Sequence, residues 1–164
     1  MTYRICFVCT GNICRSPMAE VVLRHEASLL GLADQLGVDS AGTAGDIGFD
    51  IDRRARKTLE RRGYEPGTHR GRQFKPSWLN ERDLVVAMER SHLLWLDHHA
   101  PKPDCSARVR LLLSFLTSPV QSGSSLDIAD PYFGDEREFE SCLDLIQLGC
   151  AGLLSELAAE LAAG

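Results

Sequence analysis

Cys9 and Arg15 are the first side chains in the sequence whose types and spacing could do chemistry. A cysteine thiolate is a nucleophile, and an arginine guanidinium presents a planar fork of donors that matches two oxygens of a phosphate. The two residues stand at opposite ends of one short loop that contains Gly11. A loop that holds a tetrahedral oxyanion above a thiolate is suited to nucleophilic phosphoryl transfer.

The elements on either side of this loop follow from local patterns. An apolar run from Ile5 to Cys9 predicts a buried strand, while Ser16 and Pro17 predict a helix start as N-cap and first helical residue. A strand, a tight loop and a helix N-terminus form an anion site, because loop N–H groups converge there and the helix dipole adds positive charge. Thiols in such surroundings ionise readily, so we expect Cys9 to be a thiolate near neutral pH.

Composition is typical of an ordinary globular protein. The 164 residues fit one domain (1–164), with 44% hydrophobic and 25% charged residues. A formal net charge of −5 argues against general nucleic-acid binding. No apolar run approaches about 18 residues, so we expect no membrane span, and the short N-terminal run is not a signal peptide. Six scattered cysteines do not form a disulfide scaffold, and a thiolate nucleophile needs a reducing setting, so we expect a cytoplasmic protein.

Strands and helices alternate along the chain. Strands are predicted at 5–9, 38–40, 83–88 and 109–113, and helices at about 17–31, 52–62 and 135–161, with a short helix capped by Ser91 and a loop at 117–125. This order predicts an α/β domain whose parallel sheet carries helices on both faces. Ligands of such folds bind beyond the carboxyl ends of the strands, where Cys9, Ser40 and Glu89 fall. The last helix should bury Phe139, Leu143, Ile146, Leu153 and Leu157.

The predicted helix at 52–62 is rich in arginine. Two interpretations stay open, a solvated helix face or a surface that docks the substrate. The arginines are Arg53, Arg54, Arg56, Arg61 and Arg62.

Residues 9–17 read Cys-Thr-Gly-Asn-Ile-Cys-Arg-Ser-Pro, and this run resembles the phosphate-binding loop of the bacterial low-molecular-weight protein tyrosine phosphatases. Three further segments resemble that family in the right order: Ser-Ala-Gly-Thr at 40–43, His-Arg-Gly-Arg-Gln at 69–73 and Asp-Pro-Tyr-Phe-Gly at 130–134. The resemblance spans nearly the whole chain. It implies a four-stranded parallel sheet and hydrolysis of phosphotyrosine or aryl phosphates, with no cofactor and no metal.

The resemblance also implies roles for the matching residues. Cys9 would attack phosphorus and form a cysteinyl-phosphate, and Asp130 would protonate the leaving oxygen and then activate water. The phosphate would lie against Thr10, Gly11, Asn12, Ile13, Cys14, Arg15 and Ser16. A supporting network would consist of Asn12, Ser16, Ser40 and His69, with Ser16 donating to the Cys9 sulfur. Cys14 would either pack the loop or close a reversible, protective disulfide with Cys9.

Two positions depart from the family's pattern. Asp46 stands where the family usually has Trp or Tyr as one wall of the substrate cleft, and an acidic residue there would weaken binding of strongly acidic peptides. Phe49 could supply the missing ring, while Tyr132 and Phe133 would form the other wall. Glu89 stands where the family more often has Asp.

Three rival functions use similar loops. An arsenate reductase on the same scaffold needs a relay of further cysteines, and none lies between Cys14 and Cys105. A non-catalytic phosphate or phosphotyrosine binder would lack the nucleophile or the acid, yet Cys9 and Asp130 are both present. A nucleotide-binding α/β domain needs G-x-G-x-x-G or a loop that ends in G-K-[ST], and this loop has neither.

Two other patterns do not predict a metal site. Cys6 and Cys9 form a C-x-x-C, but residues three apart in a strand are about 10 Å distant and on opposite faces. His98 and His99 have no matching ligands nearby in the sequence. The expected partners are therefore a phosphotyrosine-containing protein as substrate and inorganic phosphate as product or inhibitor, with the chain a monomer or weak dimer.

Overall fold

The computed structural model describes residues 1–101, 107–116 and 125–163. They form a single four-stranded parallel sheet with helices on both faces, as predicted. The strands are β1 (Tyr3–Cys9), β2 (Leu36–Gly42), β3 (Leu84–Ala87) and β4 (Arg108–Leu111), in the spatial order β2-β1-β3-β4. The helices are α1 (Arg15–Leu29), α2 (Arg53–Arg61), α3 (Arg90–His99) and α4 (Glu136–Ala163). Short 3₁₀ segments cover Ala33–Gln35, Pro76–Asn80 and Leu112–Phe115.

Strand β1 lies at the centre and is buried on both faces. Phe7 and Cys9 pack with α1 and α4 on one face, while Cys6 and Val8 pack with α3 on the other. The prediction that Cys6 and Cys9 face opposite sides is confirmed. Because β1 pairs with β2 on one side and β3 on the other, a crevice opens beyond its carboxyl end, where the loop after Cys9 begins.

Several predicted boundaries differ from the structure. Strand β2 extends to 36–42 rather than 38–40, since backbone pairing with β1 tolerates the glycines and polar residues at its ends. The strand predicted at 109–113 ends at Leu111, because the Ser114 hydroxyl donates to the Leu111 carbonyl at 2.7 Å and closes a turn. The predicted loop at 117–125 lies, except for Ser125, outside the described residues.

The arginines of α2 make contacts that neither sequence interpretation included. Arg61 pairs with Glu136 at 3.3 Å, and Arg62, the residue directly after α2, pairs with Glu140 at 2.6 Å, so both attach the end of α2 to α4. Arg54 lies over the ring of Tyr132, 5.4 Å from its centroid. Helix α2 is thus held between α4 and the segment that carries Asp-Pro-Tyr.

Helix α4 closes the core. Its predicted inward residues are all buried: Phe139, Leu143, Ile146, Leu153 and Leu157. Of the helices in the described residues, α4 alone is long and apolar enough to cross a membrane by length and composition. Its buried face packs against α1 and Leu112–Phe115, which is what the core helix of a globular fold requires. The five described cysteines, Cys6, Cys9, Cys14, Cys142 and Cys150, are free.

Candidate active site

The loop between β1 and α1 turns its carbonyl groups outward. Each carbonyl from Cys9 to Cys14 accepts a hydrogen bond from a donor outside the loop. The pairs are Thr43 N to Cys9 O (2.9 Å), Ala44 N to Thr10 O (3.0 Å), Asp46 N to Gly11 O (2.8 Å), His69 Nε2 to Asn12 O (2.7 Å), Asp52 N to Ile13 O (2.8 Å) and Met18 N to Cys14 O (3.1 Å). In a trans peptide the N–H points away from the carbonyl, so the loop's N–H groups converge on the cleft.

Gly42, at the end of β2, allows the loop to lie against the sheet. A Cβ there would be 2.3 Å from the carbonyl oxygen of Thr10 and 3.1 Å from the nitrogen of Asn12. A larger residue would therefore push the loop away from Thr43 and Ala44, which hold two of its carbonyls. The Ser-Ala-Gly-Thr segment therefore supports the loop, because Gly42 lets the loop approach closely enough for the N–H of Thr43 to bind it.

Asn12 fixes the shape of the loop. Its φ of 60° is in the left-handed region, which asparagine tolerates better than most residues. Its Nδ2 donates to the hydroxyls of Ser16 and Ser40, each at 2.9 Å, and its Oδ1 accepts from the backbone N–H of Arg72 at 2.9 Å. Ser40 in turn donates to the carboxylate of Glu20. The buried amide is therefore satisfied on both ends.

Cys9 lies at the floor of the cleft and is 2% exposed. Its sulfur lies 3.3 Å from the N–H of Asn12 and 2.9 Å from the Ser16 hydroxyl. Because Ser16 Oγ already accepts from the Asn12 amide, its own proton can go to the sulfur, or to the carbonyl of Ala41 at 3.3 Å. The Asn12 N–H and the Ser16 hydroxyl are thus the two groups placed to donate to the sulfur.

The predicted N-cap role of Ser16 is wrong. Helix α1 begins at Arg15, two residues before the predicted first helical residue Pro17, and its N-cap residue Cys14 makes no side-chain cap bond. The Ser16 hydroxyl turns inward to Cys9 and Asn12, so it cannot reach the free N–H groups of the first turn.

Arg15 is 2% exposed and faces two carboxylates. Its Nη1 lies 3.0 Å from Glu89 Oε2 and donates to the carbonyl of Ile128 at 2.9 Å, and its Nη2 lies 3.4 Å from Asp130 Oδ2. Burial opposes ionisation of Glu89, but the Ser91 hydroxyl and the Arg15 charge hold its pKa below the usual range. Glu89 is therefore a carboxylate that orients Arg15.

Ser91 does not cap α3 as predicted. The helix begins at Arg90, with Glu89 as its N-cap residue, and the Ser91 hydroxyl donates to Glu89 Oε1 at 2.6 Å. The carboxylate of Glu89 attracts this hydroxyl more strongly than the backbone N–H groups of the helix end do.

Asp130 stands at the edge of the cleft on a tight turn. The backbone N–H of Tyr132 donates to Asp130 Oδ1 at 3.1 Å, and that of Gly134 donates to the Pro131 carbonyl at 2.9 Å. The Asp130 side chain is 43% exposed, so it can meet a molecule that enters the cleft. The turn that begins at Asp130 therefore also positions its carboxyl group at the cleft.

The walls of the cleft differ in part from the prediction. Asp46 and Tyr132 line it, with Ile13 and Ala44, which the sequence prediction did not place on a wall. The carboxylate of Asp46 lies over Gly11, with Oδ2 2.7 Å from where a Cβ on Gly11 would be.

Phe49 and Phe133 do not line the cleft. Phe49 is 67% exposed, because its backbone closes a turn with Asp46 and binds Gly71 while its ring points to solvent. Phe133 is 94% exposed and meets Tyr132 edge to face. Asn12 and Ser16 are fully buried, and Ser40 and His69 lie behind the loop, so none of these four side chains forms the cleft surface.

Cys14 lines the cleft but differs chemically from Cys9. Burial raises the pKa of the Cys14 thiol well above its ordinary value, and the neighbouring Asp52 adds to the effect. Cys14 is therefore a protonated thiol at neutral pH.

His92 is a site residue that the sequence analysis missed. Its Nε2 lies 2.9 Å from the hydroxyl of Thr10 and 3.5 Å from Glu89 Oε1. Burial, with the nearby charge of Arg15, lowers the pKa of His92 to about 4, against the attraction of Glu89 and Asp130. The ring is therefore neutral at physiological pH. No local pattern could have found it, because Thr10 and His92 are 82 positions apart.

The buried neutral ring predicts a pH-dependent stability. In the unfolded state His92 has its ordinary pKa of 6.5, so it binds a proton below that pH. In the folded state the same ring does not bind a proton until the pH falls to about 4. The free energy of unfolding should therefore fall with decreasing pH across this range, by up to about 3 kcal/mol from this group. Urea unfolding of wild type and His92→Gln at pH 7.5 and 4.5 would measure it, with a smaller drop expected in the variant. An equal fall in the free energy of unfolding in wild type and His92→Gln would contradict the lowered pKa of His92.

The described residues contain no group of three histidine, cysteine, aspartate or glutamate side chains that could hold a metal ion. The functional groups that line the cleft are the thiols of Cys9 and Cys14, the Arg15 guanidinium, backbone donors, the carboxyl groups of Asp46 and Asp130, and the hydroxyls of Thr10 and Tyr132.

Comparisons with known proteins place the chain in a family. Residues 4–163 match the model of the low molecular weight phosphotyrosine protein phosphatases. A low molecular weight protein-tyrosine-phosphatase of Streptomyces coelicolor is 46% identical over 156 residues, covering 94% of this chain and 93% of that protein. The structure of an Entamoeba histolytica protein tyrosine phosphatase superposes with a TM-score of 0.88 at 29% identity, covering 97% and 99% of the two chains. A Drosophila arginine phosphatase superposes with a TM-score of 0.83 at 31% identity, covering 93% and 96%.

Proposed function

The chain belongs to the low molecular weight phosphotyrosine protein phosphatase family, and we propose that it hydrolyses phosphotyrosine through a covalent intermediate on Cys9. In this proposal Arg15 binds the phosphoryl group and Asp130 is the general acid and base. Residues 1–164 act as one phosphatase domain, in the cytoplasm, on phosphoprotein substrates. The protein works as a monomer or weak dimer, without nucleic acid or membrane as partner.

The observation that carries this proposal is the orientation of the loop peptides above Cys9. Every loop carbonyl from Cys9 to Cys14 is held outward, so the N–H groups surround the space over the sulfur. Those donors cost no reorganisation when charge develops on phosphoryl oxygens, and they are most effective in a site that excludes water. The buried guanidinium of Arg15 adds a charged donor at the same place.

In the first step, the Cys9 thiolate attacks phosphorus, and the bond between phosphorus and the phenolic oxygen breaks. The Arg15 guanidinium, which faces Asp130 at 3.4 Å, turns to the phosphoryl oxygens. Asp130 is then free to give its proton to the leaving oxygen, so the product is a neutral phenol. The apolar side chain of Ile13 and the ring of Tyr132 line the cleft where the phenyl ring enters.

In the second step, water attacks the cysteinyl-phosphate and the Cys9 sulfur leaves. Asp130, now ionised, takes a proton from the water, and the product is inorganic phosphate. The Ser16 hydroxyl, 2.9 Å from the sulfur, and the N–H of Asn12, 3.3 Å from it, stabilise the departing thiolate. The network through Asn12, Ser40 and His69 keeps both donors in place.

Phosphate release from a phosphotyrosine peptide and from 4-nitrophenyl phosphate in excess EDTA tests this function. We expect turnover of both substrates, with competitive inhibition by inorganic phosphate. A protein that binds phosphate but turns over neither substrate would be a binding module instead.

One structural neighbour is named an arginine phosphatase, so phosphoarginine belongs in the same assay. The carboxylate of Asp46 on the cleft wall could accept from a guanidinium, whereas Ile13 and Tyr132 favour an aromatic ring. We expect a higher kcat/KM for phosphotyrosine than for phosphoarginine, and the reverse order would reassign the substrate.

Cys14 supports a redox role for the loop. Its thiol stays protonated, so peroxide should oxidise Cys9 first. The Cys14 sulfur can then attack the sulfur of the Cys9 sulfenic acid while its proton passes to the departing hydroxyl, which gives a disulfide and water. After brief peroxide treatment, dithiothreitol should restore most wild-type activity but much less activity in Cys14→Ser, where Cys9 is oxidised further. Cys142→Ser is the matched control, because Cys142 is also a buried thiol near Cys9, and it should recover like wild type. Recovery of activity in Cys14→Ser equal to that of wild type would contradict a protective disulfide between Cys9 and Cys14.

A further inference from the structure

Thr10 and His92 form a pair that the proposed phosphoryl transfer does not use. Thr10 is exposed and lines the cleft, whereas His92 is only 2% exposed. Nε2 of His92 lies 2.9 Å from Oγ1 of Thr10. In the described part of the chain, Nδ1 of His92 has no hydrogen-bond partner although it is buried. A buried polar atom without a partner costs free energy, so this placement needs an explanation.

The proton of the neutral ring can be assigned from its neighbours. Nε2 lies 3.5 Å from Oε1 of Glu89, which is a carboxylate and can only accept. A bare lone pair on Nε2 would be repelled by that oxygen, so Nε2 carries the proton and donates to Thr10. Nδ1 is then an unpaired acceptor, which is tolerated in protein interiors better than an unpaired N–H.

This assignment determines what the Thr10 hydroxyl can do. Its oxygen accepts from His92, so its own proton is left to donate elsewhere. Among residues 1–101, 107–116 and 125–163, Oγ1 of Thr10 has no hydrogen-bond partner besides His92. Because Thr10 lines the cleft directly after Cys9, the acceptor that this proton can meet is a molecule bound there.

We infer that the Thr10 hydroxyl is a further donor to a phosphoryl oxygen, and that His92 is a positioning residue that fixes its direction. Thr10 acts in this way only if a phosphoryl group occupies the cleft, as in the proposed function above. The buried ring holds the hydroxyl before binding, so the bond forms with little loss of side-chain freedom. A neutral ring also avoids a second positive charge beside Arg15, which it would otherwise repel.

Four variants test this pair. Thr10→Val removes the hydroxyl and Thr10→Ser retains it; His92→Leu removes the donor and His92→Gln places an amide N–H near the position of Nε2. The affinity for inorganic phosphate is measured by calorimetry, and kcat/KM is measured with 4-nitrophenyl phosphate. We expect Thr10→Val and His92→Leu each to lower both quantities by about tenfold, the size of one hydrogen bond. Thr10→Ser and His92→Gln, which keep a hydroxyl and an N–H donor respectively, should recover most of that loss.

The double variant Thr10→Val with His92→Leu distinguishes positioning from a merely structural role. If His92 acts through Thr10, the double variant is no worse than either single one. Multiplied losses, or wild-type phosphate affinity in Thr10→Val, would overturn the inference. If His92→Leu fails to fold, the phosphate affinities of Thr10→Val and Thr10→Ser decide whether the Thr10 hydroxyl binds phosphate. A wild type that binds phosphate without turnover would overturn the proposed function instead, while the phosphate affinities would still test Thr10.

Discussion

Cys9→Ser is expected to abolish turnover of aryl phosphates, with kcat at least about 10⁴-fold below wild type. A serine hydroxyl in this loop is not ionised at neutral pH, so no nucleophile faces phosphorus. The variant should still bind inorganic phosphate, since the outward carbonyls and Arg15 that shape the anion site do not depend on the sulfur. Phosphate release and phosphate affinity, measured on the same preparation, test the loss of turnover and the retained phosphate binding.

Cys6→Ser is the matched control for that variant. Cys6 is in the same strand, is fully buried, and packs on the opposite face of the sheet from Cys9. It should keep wild-type kcat while any loss of stability from a buried hydroxyl appears in both variants. Retained turnover in Cys9→Ser would show that a residue other than Cys9 is the nucleophile.

Asp130→Asn is expected to lower kcat/KM, which reports the step that releases the phenol, by about 10²–10⁴-fold for substrates with poor leaving groups. The asparagine keeps the size of the side chain and can still accept from the N–H of Tyr132, but it has no proton to give to the phenolic oxygen. For 2,4-dinitrophenyl phosphate, whose phenolate leaves without help, the loss should be much smaller. A plot of log kcat/KM against the leaving-group pKa should therefore be steeper for the variant than for wild type.

Asp127→Asn is the control on the same segment. Asp127 is exposed, accepts from the backbone N–H of Arg90 at 2.7 Å, and does not line the cleft. It should leave the leaving-group dependence as in wild type. An equal loss of kcat/KM for every leaving group in Asp130→Asn would mean that Asp130 does not protonate the leaving oxygen and only shapes the cleft, through Arg15 or the turn.

The sequence was most informative where chemistry and local structure coincide. The strand that ends at Cys9, the glycine-containing loop and the helix that follows are continuous in the chain, so local preferences were sufficient to predict them. The alternation of strands and helices predicted the parallel sheet, because few arrangements of such elements bury all their apolar faces.

The serines show where local preferences fail. Ser16 and Ser91 both occupy positions typical of N-caps, yet each hydroxyl binds a side chain instead: Cys9 and Asn12 in one case, Glu89 in the other. A capping preference amounts to about 1 kcal/mol, which hydrogen bonds to charged or buried partners can exceed.

Contacts between distant segments account for the residues that sequence reasoning missed. His92 reaches Thr10, and the N–H of Arg72 reaches the side chain of Asn12 across 60 positions. The ion pairs that hold α2 against α4 are equally non-local, so the arginines of α2 looked like a solvated or docking surface. Such partners become visible only once the fold brings the elements together.

The most direct test of the account is to trap the intermediate. Wild type mixed with excess 4-nitrophenyl phosphate, quenched in acid within milliseconds and digested, should yield a Cys9 peptide that carries one phosphoryl group by mass spectrometry. The same peptide should be unmodified in Cys9→Ser. Turnover without a phosphorylated Cys9 peptide, or a phosphoryl group on another residue, would contradict covalent catalysis by Cys9.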